Sequence, residues 1–332
     1  MRPWPANRRG HLARETCPSA RGGIDEWAMS KTSYTRVLSP DQAEALRRLL
    51  QEDGGFKFAE KQYALFSAAK GKLNITVYEK GPKVLVQGKE TEDFVQFRLE
   101  PEILGVAELG YEEVNQPEMF KPHFGIDESG KGDFFGPLVI AGAYVDPVIA
   151  RHLLDHGVMD SKRITSDARI RALALLIRET PGIVCEVLSL GPEKYNALYS
   201  RFRNLNRLLA WGHARVIENL LKVRPECPRA LSDQFAKPQQ LERALMKMGR
   251  TIELQQRTKA ESDVAVAAAS ILARERFIDW LDECSRKLGY ELPKGVSDSV
   301  IAAGHKFVSD KGAENLPLIA KMHFKTAALF EA

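Results

Sequence analysis

The sequence has no apolar run near the ~20 residues that a membrane-spanning helix needs, which excludes a helical membrane protein. It has only four cysteines, Cys17, Cys185, Cys227 and Cys284, far apart and without a CxxC pair. A disulfide framework and a cysteine zinc site are therefore not expected, and a reducing, cytoplasmic compartment is. Internal repeats and low-complexity tracts are missing too, so a solenoid is not expected. Neither sign of charge dominates: 48 Lys and Arg against 44 Asp and Glu leave +4. That balance is compatible with a polyanionic partner without pointing to one. What the chain does have is apolar residue in every region: 44% of 332 positions, enough to fill two domains or one large one.

Residues 1–28 stand apart. They hold five arginines, three prolines and three glycines without a helical or strand period. Met29-Ser30-Lys31 opens the first ordered-looking stretch, so the segment reads as a disordered tail or a mis-assigned start rather than a targeting signal. Residues 31–105 read as a small α+β unit. Ser39-Pro40-Asp41-Gln42 supplies a cap, a proline at the first helical position and a glutamine three after the cap. Ala43, Leu46, Leu49 and Leu50 keep helical spacing until Gly54-Gly55. Three alternating runs follow, at 62–68, 73–78 and 83–87, and a second helix is expected over 90–99. Seven lysines lie between Lys57 and Lys89 against Glu60 and Glu79, interleaved with Tyr63, Phe66 and Tyr78. They serve either as solubilising charge on a sheet edge or as a phosphate-tracking surface with stacking platforms.

Residues 106–121 are polar and irregular and read as a linker. From residue 122 the texture alternates strand and helix, as in an α/β domain. Strands are expected at 124–127, 138–145, 183–190, 229–233 and 251–258, and helices at 165–179, 205–223 and 263–284.

The densest chemistry is the string from Gly125 to Pro137, GIDESGKGDFFGP. Adjacent carboxylates, Asp127 and Glu128, leave an apolar strand, which is unfavourable unless a cation compensates them. The loop Gly130-Lys131-Gly132 follows, able to bring backbone amides and an ammonium to a bulky anion. The spacing is not that of a P-loop. Asp233 closes a later strand, and Glu261 and Asp263 precede a strongly apolar helix, where Asp263 also reads as an N-cap. Strand-end acids of an α/β sheet converge on one rim. An oxygen-only donor set suits Mg2+ or Mn2+ rather than zinc, which points to two-metal hydrolysis of a phosphate ester. His152 and His156 have i,i+4 spacing but lack a third ligand, and read as a surface helix. Trp211 and Trp280 read as core.

These strings, together with Asp160-Ser161-Lys162, Ser232-Asp233-Gln234-Phe235-Ala236 and Lys259-Ala260-Glu261 before VAVAAASILAR, resemble the type 2 ribonucleases H from about residue 123 onward. Lysine in the Gly130-Lys131-Gly132 loop and Glu261 as fourth acid are closer to ribonuclease HIII than to ribonuclease HII. The small unit is similar to the TATA-binding-protein-like domain that precedes ribonuclease HIII. The resemblance implies an α/β, RNase H-like catalytic domain over 122–332, a mixed sheet flanked by helices, behind a small α+β substrate-binding domain. It implies an endonuclease that cuts the RNA strand of RNA–DNA hybrids to 5′-phosphate and 3′-hydroxyl ends, with two Mg2+ or Mn2+ ions when substrate is bound. Asp127, Glu128 and Asp233 would hold metal, with Glu261 the fourth catalytic acid. Gly130, Lys131 and Gly132 would lie against the RNA and read its 2′-hydroxyls, and Ser161 and Lys162 would line the substrate groove, Lys162 otherwise belonging to a capped loop. Tyr290 is followed by Glu291-Leu292-Pro293 and is not given the junction-sensing role of the ribonuclease HII tyrosine. A monomer without an obligate protein partner is expected. A hybrid-binding protein without catalysis and a DNA-directed nuclease are the competing classes.

Overall fold

The helix start read from Ser39-Pro40-Asp41-Gln42 is a capping box. Ser39 Oγ accepts from the Gln42 backbone N–H at 3.1 Å, and Gln42 Oε1 accepts from the Ser39 N–H at 2.9 Å, so two amides that a helix start leaves open are satisfied. The computed structural model describes residues 32–106, 112–234, 238–245, 249–258 and 260–330. The chain divides into two compact units, a smaller one through Phe120 and a larger one from Lys121. The readings made for residues 1–28, Phe235-Ala236 and Lys259 lie outside the described residues.

The small unit runs β1 (Ser33–Val37), α1 (Pro40–Glu52), β2 (Lys57–Ala59), β3 (Ala64–Lys70), β4 (Leu73–Tyr78), β5 (Lys83–Gln87) and α2 (Thr91–Phe94). Its sheet has the order β1-β5-β4-β3-β2, antiparallel throughout. Five strands stand where three were expected. The two extra ones are the edges, largely exposed along their length, so they lack the apolar alternation that announces a strand. The second helix also differs. Four residues of α2 pass directly into a π-helix, Val95–Leu104, around Pro101, whose ring and missing N–H do not fit an ordinary helical turn. Ala43, Leu46 and Leu50 of α1, with Leu99, pack on Ile75, Val77, Val84 and Val86. Alternation along the strands turns Thr76, Tyr78, Lys83 and Leu85 to the other face.

Within 106–121 the structure shows a helical turn, α3 (Glu112–Asn115), and a 3-10 turn at Pro117–Phe120 with Met119 and Phe120 buried; residues 107–111 lie outside the described residues. The larger unit continues with β6 (His123–Ser129), β7 (Leu138–Val145), α4 (Pro147–Asp155), α5 (Asp167–Glu179), β8 (Val184–Leu190), α6 (Pro192–Phe202), α7 (Leu205–Leu221), β9 (Arg229–Asp233), α8 (Pro238–Ala244), β10 (Glu253–Arg257), α9 (Val264–Leu288) and α10 (Asp298–Lys311). Its mixed sheet has the order β10-β9-β6-β7-β8. Strands β10, β9 and β6 are parallel, and β7 is antiparallel to β6 and β8. His152 lies on α4 and His156 just beyond its end.

Every residue of β7 is buried, as a central strand covered on both faces requires. Gly125 fixes a tight contact. A Cβ there would lie 2.1 Å from the Ala265 carbonyl carbon and 2.2 Å from the Val266 nitrogen, so the first turn of α9 rests directly on the β6 backbone. This contact lays α9 along β6, with the Asp263 cap beside His123 at the start of the strand.

Candidate active site

Three parallel strands end on the same rim of the sheet, and acids stand there. Asp127 and Glu128 are the fifth and sixth residues of β6, Asp233 is the last residue of β9, and Glu261 follows β10 in a 3-10 turn, Ala260–Ser262. Neighbouring residues of a strand face opposite sides of a sheet. Asp127 faces α9, where the nearby Ser270 hydroxyl favours its charged form. Glu128 faces α7, where its Oε2 accepts from His213 Nε2 at 3.1 Å, and its Oε1 accepts from Lys131 Nζ at 3.3 Å.

The electrostatics of the pair are opposed. Burial and the neighbouring Glu128 charge push the Asp127 carboxyl up to about 8, against the Glu128 backbone N–H, Lys162 and Ser270. For Glu128, burial is outweighed by His213 and Lys131, and its carboxyl falls to about 2. Lys162 reports the wider geometry. Burial works against its charge, yet Asp127, Asp160, Glu261 and Asp233 together raise its pKa. One ammonium thus sits in the field of carboxylates from all three strand ends. No three His, Cys, Asp or Glu side chains among the described residues close on a single point at ligand spacing.

The residues nevertheless fit a divalent cation. Their donors are all carboxylate oxygens, the set that hard cations prefer. Glu261 Oε2 is buried without a hydrogen-bond partner, a costly state that a cation would relieve. Burial and the Glu128 charge together push the Asp127 carboxyl up, a cost that a bound cation would likewise relieve.

Asp263 is a different kind of residue. It is buried, its Oδ1 accepts from the Ala265 N–H at 2.9 Å and the Val266 N–H at 3.4 Å, and it lies 2.9 Å from His123 Nε2. It caps α9 and ties that cap to β6. Asp263→Asn is expected to lower the thermal midpoint, by a loss of about 1–3 kcal/mol for a buried charged hydrogen bond, while cleavage falls only modestly. Glu261→Gln should do the reverse, and parallel melting curves and turnover rates separate the two.

Asp160-Ser161-Lys162 forms a capped turn, with Asp160 Oδ1 accepting from the Lys162 N–H at 3.0 Å. The Ser161 hydroxyl meets the Ser270 hydroxyl, and Arg274 donates to the Ser161 carbonyl. The cap and the charge of Lys162 toward the acids are therefore both present. Gly130 has φ +84° and Gly132 stands in open space, so the loop turns sharply and leaves its tip uncovered. Lys131 reaches back to Glu128.

Two residues were not anticipated. His213, fully buried on α7, is hidden in the sequence by the apolar period of its helix. Lys321, also fully buried, donates from Nζ to the carbonyls of Asp133 at 2.8 Å and Phe135 at 3.2 Å, and burial lowers its pKa to about 7. With Gly295 N–H donating to Asp133 Oδ1 at 2.7 Å, it clamps the backbone just after the glycine loop. No local signal marks a lysine as buried, because its partners lie some 190 positions away in the chain.

A mixed sheet with carboxylates at the parallel strand ends, next to a glycine-lysine-glycine turn, defines an RNase H-like site. Residues 124–327 match the family model described as Ribonuclease HII. A Ribonuclease HIII of Protochlamydia amoebophila is 45% identical over 88% of this chain and 95% of its own length. One of Chlamydia caviae is 42% identical over 89% and 96%. Among solved structures, Bst-RNase HIII in complex with Mn2+ is similar with a TM-score of 0.61 and 29% identity, covering 90% of this chain and 97% of that one. The chain belongs to the ribonuclease HII family and, within it, to the ribonuclease HIII group.

Proposed function

We propose that this chain hydrolyses the RNA strand of RNA–DNA hybrids, leaving 5′-phosphate and 3′-hydroxyl ends, at a site built by Asp127, Glu128, Asp233 and Glu261. Membership of the family supports the reaction class, an endoribonuclease of the ribonuclease H type. The observation that supports the residue assignment is that Asp127, Asp233 and Glu261, from three strand ends, all act on the Lys162 charge. Asp127, Glu128 and Asp233 would hold Mg2+ or Mn2+, two ions with substrate bound, and Glu261 would complete the set. Such ions supply Lewis-acid activation of the scissile phosphate and of the attacking water. Gly130, Lys131 and Gly132 lie against the ribose-phosphate backbone, where the exposed turn reads 2′-hydroxyls. Lys162 attracts the phosphate, and Ser161 steadies its turn through Ser270. His213 also donates toward Glu128, so that carboxylate is oriented before substrate arrives.

The small domain, over 31–105, binds the hybrid through its open sheet face, joined by the segment 106–121 to the catalytic domain over 122–332. Lys61 Nζ lies 3.4 Å from Thr76 Oγ1 and 5.6 Å from the Tyr78 ring centroid, which sets a cation beside an aromatic platform. Lys57 and Lys83 share this face by strand register, whereas Lys70 is tied to Asp53. Changing Lys57, Lys61 and Lys83 together to Ser should weaken hybrid binding about tenfold. It should also flatten the log–log salt slope by ~2–3, at ~0.7–0.9 per lost phosphate contact. Equal slopes would make these lysines mere solubilising charge. We place the enzyme in the cytoplasm as a monomer without an obligate protein partner. Cys185, Cys227 and Cys284 are buried, and no described helix is long and apolar enough to cross a membrane.

A preference for runs of ribonucleotides over a single embedded one follows from a loop that expects several 2′-hydroxyls. The test labels both strands of a hybrid and of an all-DNA duplex and adds Mn2+. Cutting confined to the RNA strand supports the reading. Binding without cutting points to a non-catalytic hybrid binder, and cutting of the DNA duplex to a DNA-directed nuclease.

A further inference from the structure

We infer that His213 is a positioning residue of this site: its Nε2–H holds the Glu128 carboxylate in the orientation that accepts the metal. The inference rests on the reading of Glu128 as a metal ligand. The geometry comes from how α7 meets the sheet. Glu128 pairs with Ile140 across β6 and β7, so the two side chains share the face that α7 covers. A Cβ on Gly212 would lie 2.1 Å from Ile140 Cδ1, which means α7 presses on the sheet at the position of Glu128. The next residue is His213, fully buried, with Nε2 3.1 Å from Glu128 Oε2. A nitrogen facing an ionised carboxylate at that distance carries the proton and donates it into the bond. The other carboxylate oxygen faces Lys131 of the loop at 3.3 Å, through a side chain that is 40% exposed.

The two contacts differ in kind. Lys131 has a long side chain partly in solvent, and the same residue is needed at the RNA backbone. His213 has no freedom of that sort, because its ring is enclosed by the sheet and its own helix. Glu128 therefore keeps one fixed partner when Lys131 turns to substrate. A side chain that orients a metal-binding carboxylate in this way typically supports metal affinity or activity by about 10–100-fold. Asp127 is held separately, its Oδ1 accepting from the Glu128 backbone N–H at 2.8 Å, so loss of the histidine leaves that half of the site in place.

The test uses the full chain freed of metal, with Mn2+ as the titrant in calorimetry and single-turnover cleavage of a hybrid as a second readout. His213→Ala and His213→Phe lack a donor at two different volumes, while His213→Gln keeps an N–H donor without the ring. Both donor-free variants should bind Mn2+ about 10–100-fold more weakly and cut more slowly in the same proportion, with the hybrid KM within about twofold of wild type. His213→Gln should recover most of both losses. Wild-type Mn2+ affinity in His213→Phe, or a His213→Gln no better than the donor-free pair, overturns the inference and leaves His213 a packing residue. Glu128→Gln separates the underlying reading: if it binds Mn2+ and cuts like wild type, Glu128 is not a ligand. If it is impaired while the donor-free variants are not, only the role of His213 falls.

Discussion

Asp127→Asn is expected to abolish hybrid cleavage, with a fall of at least about 10³-fold in kcat, or ~4 kcal/mol of transition-state stabilisation. The amide keeps the size and the hydrogen-bonding reach of the side chain but removes the charge that a metal requires. Binding of hybrid without metal should survive, or tighten, because one negative charge near the scissile phosphate is gone. Stability gives an independent check with a defined sign. Asp127 ionises at about 8 in the folded chain against 3.8 for an ordinary aspartate. Between those values the folded state binds more protons than the unfolded one, so the wild type loses stability as pH rises across the window. Metal-free Asp127→Asn escapes that loss. It should melt several degrees above metal-free wild type near pH ~8.5, with the gap shrinking toward pH ~4.5. Mg2+ should raise the wild-type midpoint and leave the variant where it is.

Gly125→Ala should be as damaging without touching a carboxylate. The added methyl would stand 2.1 Å from the Ala265 carbonyl carbon, a collision between two backbones that no side-chain rotation relieves. Forcing α9 away costs on the order of 3 kcal/mol, or ~6–12 °C of thermal midpoint at ~2–4 °C per kcal/mol. The same displacement separates Glu261, at the start of α9, from Asp127, at the end of β6. A misplacement of ~1 Å costs about 10²-fold in rate, so the surviving folded fraction should cut poorly at a temperature where it is still native. Melting curves and turnover on one preparation check both halves, and wild-type behaviour in either would mean that α9 does not set the distance between these acids.

The acids were legible because each sits where a strand pattern stops. Asp127 and Glu128 break an apolar run, Asp233 ends another, and Glu261 precedes a helix start that Asp263 announces. The residues alone did not separate the last two; Asp263 is engaged by His123, 140 positions away, while a buried Glu261 oxygen has no hydrogen-bond partner. The small domain shows the same division. Its capping box and central strands follow from local chemistry, while β1 and β2 are edge strands whose side chains are largely in solvent and leave no alternating signal. The second helix was expected over 90–99, and the π-helix around Pro101 that extends it is a tertiary outcome. His213 and Lys321 escaped for a common reason. A polar residue within an apolar helix or a polar tail is given meaning only by a partner that folding brings to it, Glu128 in one case and the backbone of Asp133 and Phe135 in the other.

One measurement bears most directly on the claim that these strand-end acids form a metal site that cuts RNA. The full-length chain and an end-labelled RNA–DNA hybrid are combined in chelator, and the integrity of both strands is followed before and after excess Mg2+ or Mn2+ is added. The account predicts a stable, uncut complex until metal arrives, then cleavage of the RNA strand alone to 5′-phosphate and 3′-hydroxyl ends, with an Asp233→Asn complex remaining bound and intact throughout. Cutting before metal is added, or cutting by Asp233→Asn at the wild-type rate, would contradict it.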